Sequence, residues 1–255
     1  MPSFKARYEF KYLISPDQEA WIRELVRMYC DPDAYGDDGT YAVNSLYFDT
    51  WDWQLAMQTV EGVRNRYKMR IRTYGFDESD PVFVEIKGRV GTSILKQRAL
   101  MDRRYVHDLC LGAPPPVGGF RAMKPDHQDD LDRFRNLMDL TDMRPRLWVA
   151  YEREAYGTRF GDGARLTFDR KLRVQPPPME RPYEPHEEDW QSVVLDGEQT
   201  ILEMKFNGAF PFWMQRIVHG LRLRRVSCSK YVQGAEQLGD VPWNRVERRG
   251  AWTVY

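Results

Sequence analysis

Three cysteines and four histidines in 255 residues leave little material for thiol or imidazole chemistry. Cys30, Cys110 and Cys228 have neither metal-site spacing nor the even number of a disulfide framework, which fits a reducing cytoplasm. His107, His127, His186 and His219 are scattered through loop-like contexts, with no Ser/His/Asp set around them. Net charge is lacking too. Lys and Arg total 38 and Asp and Glu total 38, so bulk charge does not drive a general coating of nucleic acid. No apolar run approaches the ~18 residues of a spanning helix, and Met1 to Lys11 holds no signal-peptide core. There is no Walker-type glycine loop, kinase motif or dinucleotide fingerprint, and no internal repeat or low-complexity tract.

What is present is alternation. From Arg66 to Tyr74, Arg66, Lys68, Arg70 and Arg72 leave one face while Tyr67, Met69 and Ile71 leave the other. A period of two marks a β-strand. Four cations on one strand face repel, so carboxylates from neighbouring strands or a polyanion must offset them. The pattern recurs in Arg7, Glu9 and Lys11, in Glu85, Lys87 and Arg89, in Lys96 and Arg98, in Arg165 and Asp169, and in Glu203 and Lys205. Any one such run reads as a solvated outer face. Together they favour a sheet closed into a barrel, charged inside and apolar outside under helices.

In chain order, strands are expected at 4–14, 43–50, 64–74, 82–89, 94–103, 144–154, 164–174 and 200–206. A helix begins at Ser15-Pro16-Asp17-Gln18, with Ser as N-cap and Pro at its first position, and runs to Tyr29 with Trp21, Leu25 and Met28 as its apolar stripe. A short helix is expected within Trp51 to Glu61, and an amphipathic one over Pro211 to Arg225 carrying Phe212, Trp213, Ile217 and Leu221. The acidic loop Asp31 to Gly39 reads as solvated rather than as a cation site. Residues 106–142 form an insertion with a Pro/Gly-rich stretch and a helix-like segment at 126–140, 175–192 a loop, and 243–255 a tail. The chain reads as a single α+β domain over 1–255, with strand patterns resuming after the insertion.

The charges of inward parity are Arg7, Lys11, Arg66, Lys68, Arg70, Arg72, Lys87, Arg89, Lys96, Arg98, Arg153, Arg165 and Lys205, against Glu9, Glu85, Glu203 and Asp169, about three to one. An empty lining of this kind is unfavourable and a bound polyanion relieves it. Guanidinium forks and lysine point charges suit phosphate, and a few carboxylates can hold Mn2+ or Mg2+ bridging phosphate oxygens. Phosphoryl transfer needs mainly such positioning and neutralisation. Inward cations also argue against a nucleic-acid groove.

The runs Arg7-Tyr8-Glu9-Phe10-Lys11-Tyr12, Tyr47-Phe48-Asp49-Thr50, Lys68 to Tyr74, Glu85-Ile86-Lys87-Gly88-Arg89, Lys96-Gln97-Arg98, Arg165 to Asp169, Ile201 to Lys205 and Ser229-Lys230-Tyr231, in this order over residues 4–232, resemble a VTC-type polyphosphate polymerase domain of the triphosphate tunnel metalloenzyme superfamily. The resemblance implies an eight-stranded antiparallel tunnel with helices outside. It implies transfer of the γ-phosphoryl group of a nucleoside triphosphate to a growing inorganic polyphosphate chain, with a divalent metal. Lys11, Arg70, Arg72, Lys87, Lys96 and Arg98 would grip triphosphate, Arg153 would add a contact, and Ser229 and Lys230 would meet phosphate near one mouth. Glu203 would hold the metal beside Lys205, with Glu9 and Glu85 as further candidate ligands. Arg7 stands where the wider superfamily has a first Glu, which points to the VTC branch rather than to adenylate cyclases or thiamine-triphosphatases. Two alternatives use the same residues: hydrolysis of triphosphate or tripolyphosphate, and binding of polyphosphate without turnover.

Overall fold

The alternating runs form one antiparallel sheet in a computed structural model that describes residues 7–77, 79–91, 93–113, 119–195, 199–239 and 241–243. Residues 4–6 of the expected first strand, Thr92 of an expected turn, the centre of the Pro/Gly-rich stretch and the tail beyond Trp243 lie outside the described residues. The strands are β1 (Arg7–Ile14), β2 (Cys30–Pro32), β3 (Thr40–Asp49), β4 (Asn65–Thr73), β5 (Val82–Val90), β6 (Ser93–Met101), β7 (Arg144–Thr158), β8 (Arg165–Gln175), β9 (Gln191–Ser192) and β10 (Thr200–Asn207). The helices are α1 (Pro16–Tyr29), α2 (Gln54–Val60), α3 (Val106–Leu111), α4 (Gln128–Leu140), α5 (Phe212–Gly220) and α6 (Lys230–Leu238). Among the described residues no helix is long and apolar enough to cross a membrane.

The eight longer strands run in the order β1-β10-β8-β7-β3-β4-β5-β6, with β2 added on β7 and β9 on β8. The expected eight-stranded barrel is therefore a ten-stranded sheet, and hydrogen bonds do not close it: β1 and β6 are its two ends. The reason is that other segments occupy the ends. Along β6, Asp130 Oδ2 accepts from the Arg98 amide at 2.9 Å and His127 Nδ1 from the Leu100 amide at 3.1 Å. Along β1, the Lys11 carbonyl accepts from the Val226 amide at 2.8 Å. Covering an edge in this way removes its free pairing groups. Side chains still span the gap, since Lys87 of β5, next to the end strand β6, reaches Glu9 of β1 at 3.5 Å.

Three apolar cores flank the sheet. On the outer face, Met69, Ile71, Val84 and Met101 pack under α3 and α4 against Leu109, Leu131, Phe134 and Met138. Also outside, Leu166, Phe168, Leu202 and Met204 pack under α1 and α5 against Ile22, Val26, Trp213 and Ile217. The third core is on the inner face, where Val43, Tyr47, Leu147, Val149, Val174 and Ile201 meet Cys228, Tyr231 and Ala235 in and before α6. The interior is thus part apolar rather than charged throughout. Each large side chain buried there contributes about 1.5–3 kcal/mol. Gly234 permits the approach of α6, since a Cβ there would lie 2.8 Å from Val174 Cγ1.

α1 starts with the expected capping box, Ser15 and Gln18 bonding reciprocally. Its buried stripe is Ile22, Leu25 and Val26, whereas Trp21 and Met28 are exposed. Likewise Met214 joins Trp213 and Ile217 in the core under α5, and Phe212 is exposed. The loop expected over 175–192 contains β9, and Gln175 holds it by donating to the His186 carbonyl at 2.9 Å. In the acidic loop, Asp31 pairs with Arg159 and Asp33 with Arg165, so cations of this chain meet both carboxylates.

Candidate functional site

Strand register gathers the inner-face charges into rows. Lys11 stands opposite Glu203, Glu9 opposite Lys205, and Arg153 opposite Asp169. Arg70 stands opposite Glu85, which stands opposite Arg98; Lys68 stands opposite Lys87, which stands opposite Lys96. Two of these four pairings across β4, β5 and β6 place a cation opposite a cation, so the excess is built into the sheet.

One centre is formed by Glu203 and Asp169, both buried. Glu203 Oε1 lies 3.2 Å from Lys11 Nζ and 3.0 Å from Lys230 Nζ, and its Oε2 lies 2.8 Å from Lys205 Nζ and 3.4 Å from Arg153 Nη2. Arg153 forks onto both oxygens of Asp169 at 2.7 Å, and Lys230 reaches the same carboxylate at 2.5 Å. Burial would raise the Glu203 carboxyl, but Lys11, Lys205, Lys230 and Arg153 outweigh it and hold the pKa well below the ordinary range. Burial would lower the Lys230 and Lys11 ammoniums, but the adjoining carboxylates raise both.

The second centre is Glu85 on β5. Arg70 donates to its Oε2 from Nε at 2.8 Å, Arg98 Nε lies 3.2 Å and Lys96 Nζ 3.6 Å from its Oε1, and Arg72 Nε lies 3.8 Å away. Against burial, these cations hold Glu85 at about 2. Arg70 also donates to the Tyr47 hydroxyl at 2.9 Å, and the Arg98 guanidinium lies 3.6 Å over the Phe83 ring. Between the centres, Lys87 and Lys11 share Glu9, which they and Lys205 hold at about 2 against burial. Lys68 meets no carboxylate among the described residues. It donates instead to Ser229 Oγ at 2.7 Å, and burial, then Lys11, Lys87, Arg70 and Arg66, push its pKa well below the ordinary lysine range.

Fourteen of the expected site residues therefore converge: Lys11, Lys68, Arg70, Arg72, Lys87, Lys96, Arg98, Arg153, Lys205, Ser229, Lys230, Glu9, Glu85 and Glu203. Arg7, Arg66 and Arg89 lie further out. Arg7 is exposed at the start of β1, while Arg66 and Arg89, opposite one another on β4 and β5, donate to the Val63 and Gly91 carbonyls. Arg165 points away to Asp33. Lys230 is buried at the first turn of α6.

Two features escaped the sequence reading. Asp49 accepts from the Leu55 and Ala56 amides at 2.9 and 3.0 Å, fixing the start of α2, and from the Tyr231 hydroxyl, fixing α6. α6 itself has local signals in Ser229 as N-cap and Gly239 as a left-handed stop.

Among the described residues no three or more His, Cys, Asp or Glu side chains form a metal-binding group, so Glu203, Glu9 and Glu85 do not make one ligand set. The donor chemistry fits only a hard divalent ion held by one or two carboxylates and, for the rest, by substrate phosphate oxygens. Glu203 with Asp169 is the pair positioned for that, since they share Arg153 and Lys230.

Sheet and site together define an α+β protein whose inner sheet face carries an excess of cations around a few buried carboxylates. The chain belongs to the VTC domain family, whose sequence profile matches residues 6–239. That is the family its strand motifs resemble. Among solved structures, a Bacillus halodurans protein described as a candidate adenylate cyclase shares the fold, with 13% identity, 96% of each chain covered and a TM-score of 0.50. A Pyrococcus horikoshii protein aligns with 14% identity over 91% of this chain and 99% of its own, TM-score 0.46. A Hippeastrum protein described as a candidate adenylyl cyclase with dominant triphosphatase activity aligns with 14% identity over 90% and 95%, TM-score 0.44. No curated protein matches the chain.

Proposed function

We propose that the protein transfers the terminal phosphoryl group of a nucleoside triphosphate, ATP among them, to a growing inorganic polyphosphate chain on its inner sheet face. One observation carries this reading: ten inner cations, Lys11, Lys68, Arg70, Arg72, Lys87, Lys96, Arg98, Arg153, Lys205 and Lys230, surround four carboxylates, Glu9, Glu85, Asp169 and Glu203. The surplus matches a compact polyanion. Membership of the VTC domain family supports the same substrate class.

In this reading the carboxylates hold the cations in place before substrate arrives, which removes reorganisation from the reaction. Arg70, Arg72, Arg98 and Lys96, gathered on Glu85, grip the triphosphate, with Lys68 and Lys87 beside them. Arg70, Arg72, Lys87 and Lys205 neutralise charge that develops on the transferring group and the leaving diphosphate. Lys11, Arg153, Lys230 and Ser229 hold phosphate near Glu203, while Arg7, Arg66 and Arg89 guide the chain at the outer ends of the strands. Glu203, with Asp169 beside it, would hold Mn2+ or Mg2+, which when bound would supply positive charge against the phosphate oxygens.

The test is incubation with ATP and Mn2+ or Mg2+, with products separated by chain length. Polyphosphate longer than the input triphosphate is the expected result. Orthophosphate alone would assign a hydrolase, and tight tripolyphosphate binding without nucleotide consumption would assign a binder; either outcome overturns the polymerase reading.

A further inference from the structure

Lys68 and Ser229, both among the phosphate-gripping residues above, also form a direct pair with each other. Among the described residues, Lys68 is the inner-face lysine without a carboxylate in ion-pair reach, and its Nζ lies 2.7 Å from Ser229 Oγ. The contact joins β4 to the N-terminus of α6 across the interior. Burial and the cations Lys11, Lys87, Arg70 and Arg66 favour the neutral amine at Lys68, the form that can accept a proton. Ser229 Oγ accepts from the Val232 amide at 3.4 Å as N-cap, and with Lys68 as the neutral amine the 2.7 Å contact leaves the Nζ lone pair facing the Ser229 hydroxyl proton. A phosphate on that oxygen would sit at the start of a nine-residue helix. Lys230 would be its chain neighbour, and Lys11, bound to the Cys228 carbonyl at 3.0 Å, would lie one residue to the other side. Each of these favours an added dianion.

We propose that Ser229 is a phosphoryl acceptor, with Lys68 as its general base, so that transfer from the nucleotide passes through phosphoserine. The proposal rests on the triphosphate reading above. In the first half, Lys68 Nζ takes the hydroxyl proton and Ser229 Oγ attacks the terminal phosphorus. The Oγ–P bond forms, the bond from that phosphorus to the bridging oxygen breaks, and nucleoside diphosphate leaves with the electron pair. In the second half, a terminal oxygen of the polyphosphate chain attacks the phosphoserine phosphorus, and Oγ departs and recovers the proton from Lys68. No redox partner is needed.

The experiment mixes the full chain with ATP and Mg2+, quenches in acid over a rapid time course, and measures intact mass with peptide mapping. An ester on serine survives acid, whereas a phosphoramidate on lysine does not. The expected result is a gain of one phosphoryl mass at Ser229. Ser229→Asn keeps an equally good N-cap. It should melt like the parent, show no gain and lose chain growth. Lys68→Met should slow adduct formation at least tenfold while tripolyphosphate still binds. Chain growth at the parent rate in Ser229→Asn would overturn the proposal and leave the polymerase reading standing. An adduct at Ser229 without chain growth would overturn the second half of the proposal together with that reading, leaving Ser229 as a phosphoryl acceptor only. Absence of both adduct and nucleotide consumption would overturn both.

Discussion

Strands β7 and β8 carry an ion network on each face, and the two differ in balance. Inside, Arg153 and Asp169 belong to a cluster in which cations exceed carboxylates. Outside, the very next residues, Glu154 and Arg170, belong to a cluster with α1. There Arg23 meets Glu154 at 3.0 Å, Arg170 meets Glu19 at 2.8 Å and Glu152 at 3.3 Å as well as Glu154, and Lys171 meets Glu152 at 3.0 Å. Three cations answer three carboxylates, and the Tyr156 and Thr200 hydroxyls donate to Glu154 and Glu19. A balanced network satisfies itself and fastens a helix to a sheet. An unbalanced one, fixed by the same fold, leaves positive charge over, which in the proposed function the phosphate chain meets.

The strongest way to sharpen the contrast is Glu203→Gln. Turnover of ATP should fall about a thousandfold while triphosphate affinity is nearly kept, because the substitution removes a charge and keeps the shape. Steady-state rates and calorimetric titration check this. Arg70→Ala comes next. A charge-assisted hydrogen bond contributes about 1.5–3 kcal/mol, so triphosphate binding should weaken about ten- to a hundredfold. If both variants bound and turned over like the parent, the inner excess would not be the working site.

Arg170→Ala probes the other face. It strips one cation from Glu19, Glu152 and Glu154 together and should lower stability by about 2–3 kcal/mol, seen as a fall in Tm. Tripolyphosphate affinity of the folded fraction should not change; a loss of affinity would erase the distinction between the faces. The smallest effect is in acid. Glu85 and Glu9 inside and Glu154 outside are each held at about 2, against an ordinary 4.5, by neighbouring cations that overcome burial. Their stabilisation is complete above pH 4.5 and is lost as pH falls from there toward 2. Thermal melts against pH should show that limb, flatter in Glu85→Gln and still present because Glu154 remains.

The strands were legible because charge and bulk alternate with period two, and a strict period survives any packing. The cation faces followed from the same parity. Partner choice was not legible. That Arg153 forks onto Asp169, or that Lys230 descends between Asp169 and Glu203, depends on register between strands far apart in sequence. Glu19 and Arg23, one turn apart on α1, look like a solvated pair until β8 delivers Arg170 to them. The bulge in β8 was also hidden. Lys171, at φ 52°, is an extra residue opposite β7, and it lets Leu172 and Val174 face inward after Asp169 has done so. Barrel closure was expected from the charged strand faces and the family resemblance, but the segments at 122–130 and 225–226 already hold the edges.

α6 follows every strand of the sheet in the chain, and it carries both the inner apolar plug and Lys230. During synthesis, then, the outer cores can assemble while the interior is still short of its last wall. Two buried carboxylates wait for one late lysine, so the pocket's charge and the sheet's tertiary closure are finished in the same event.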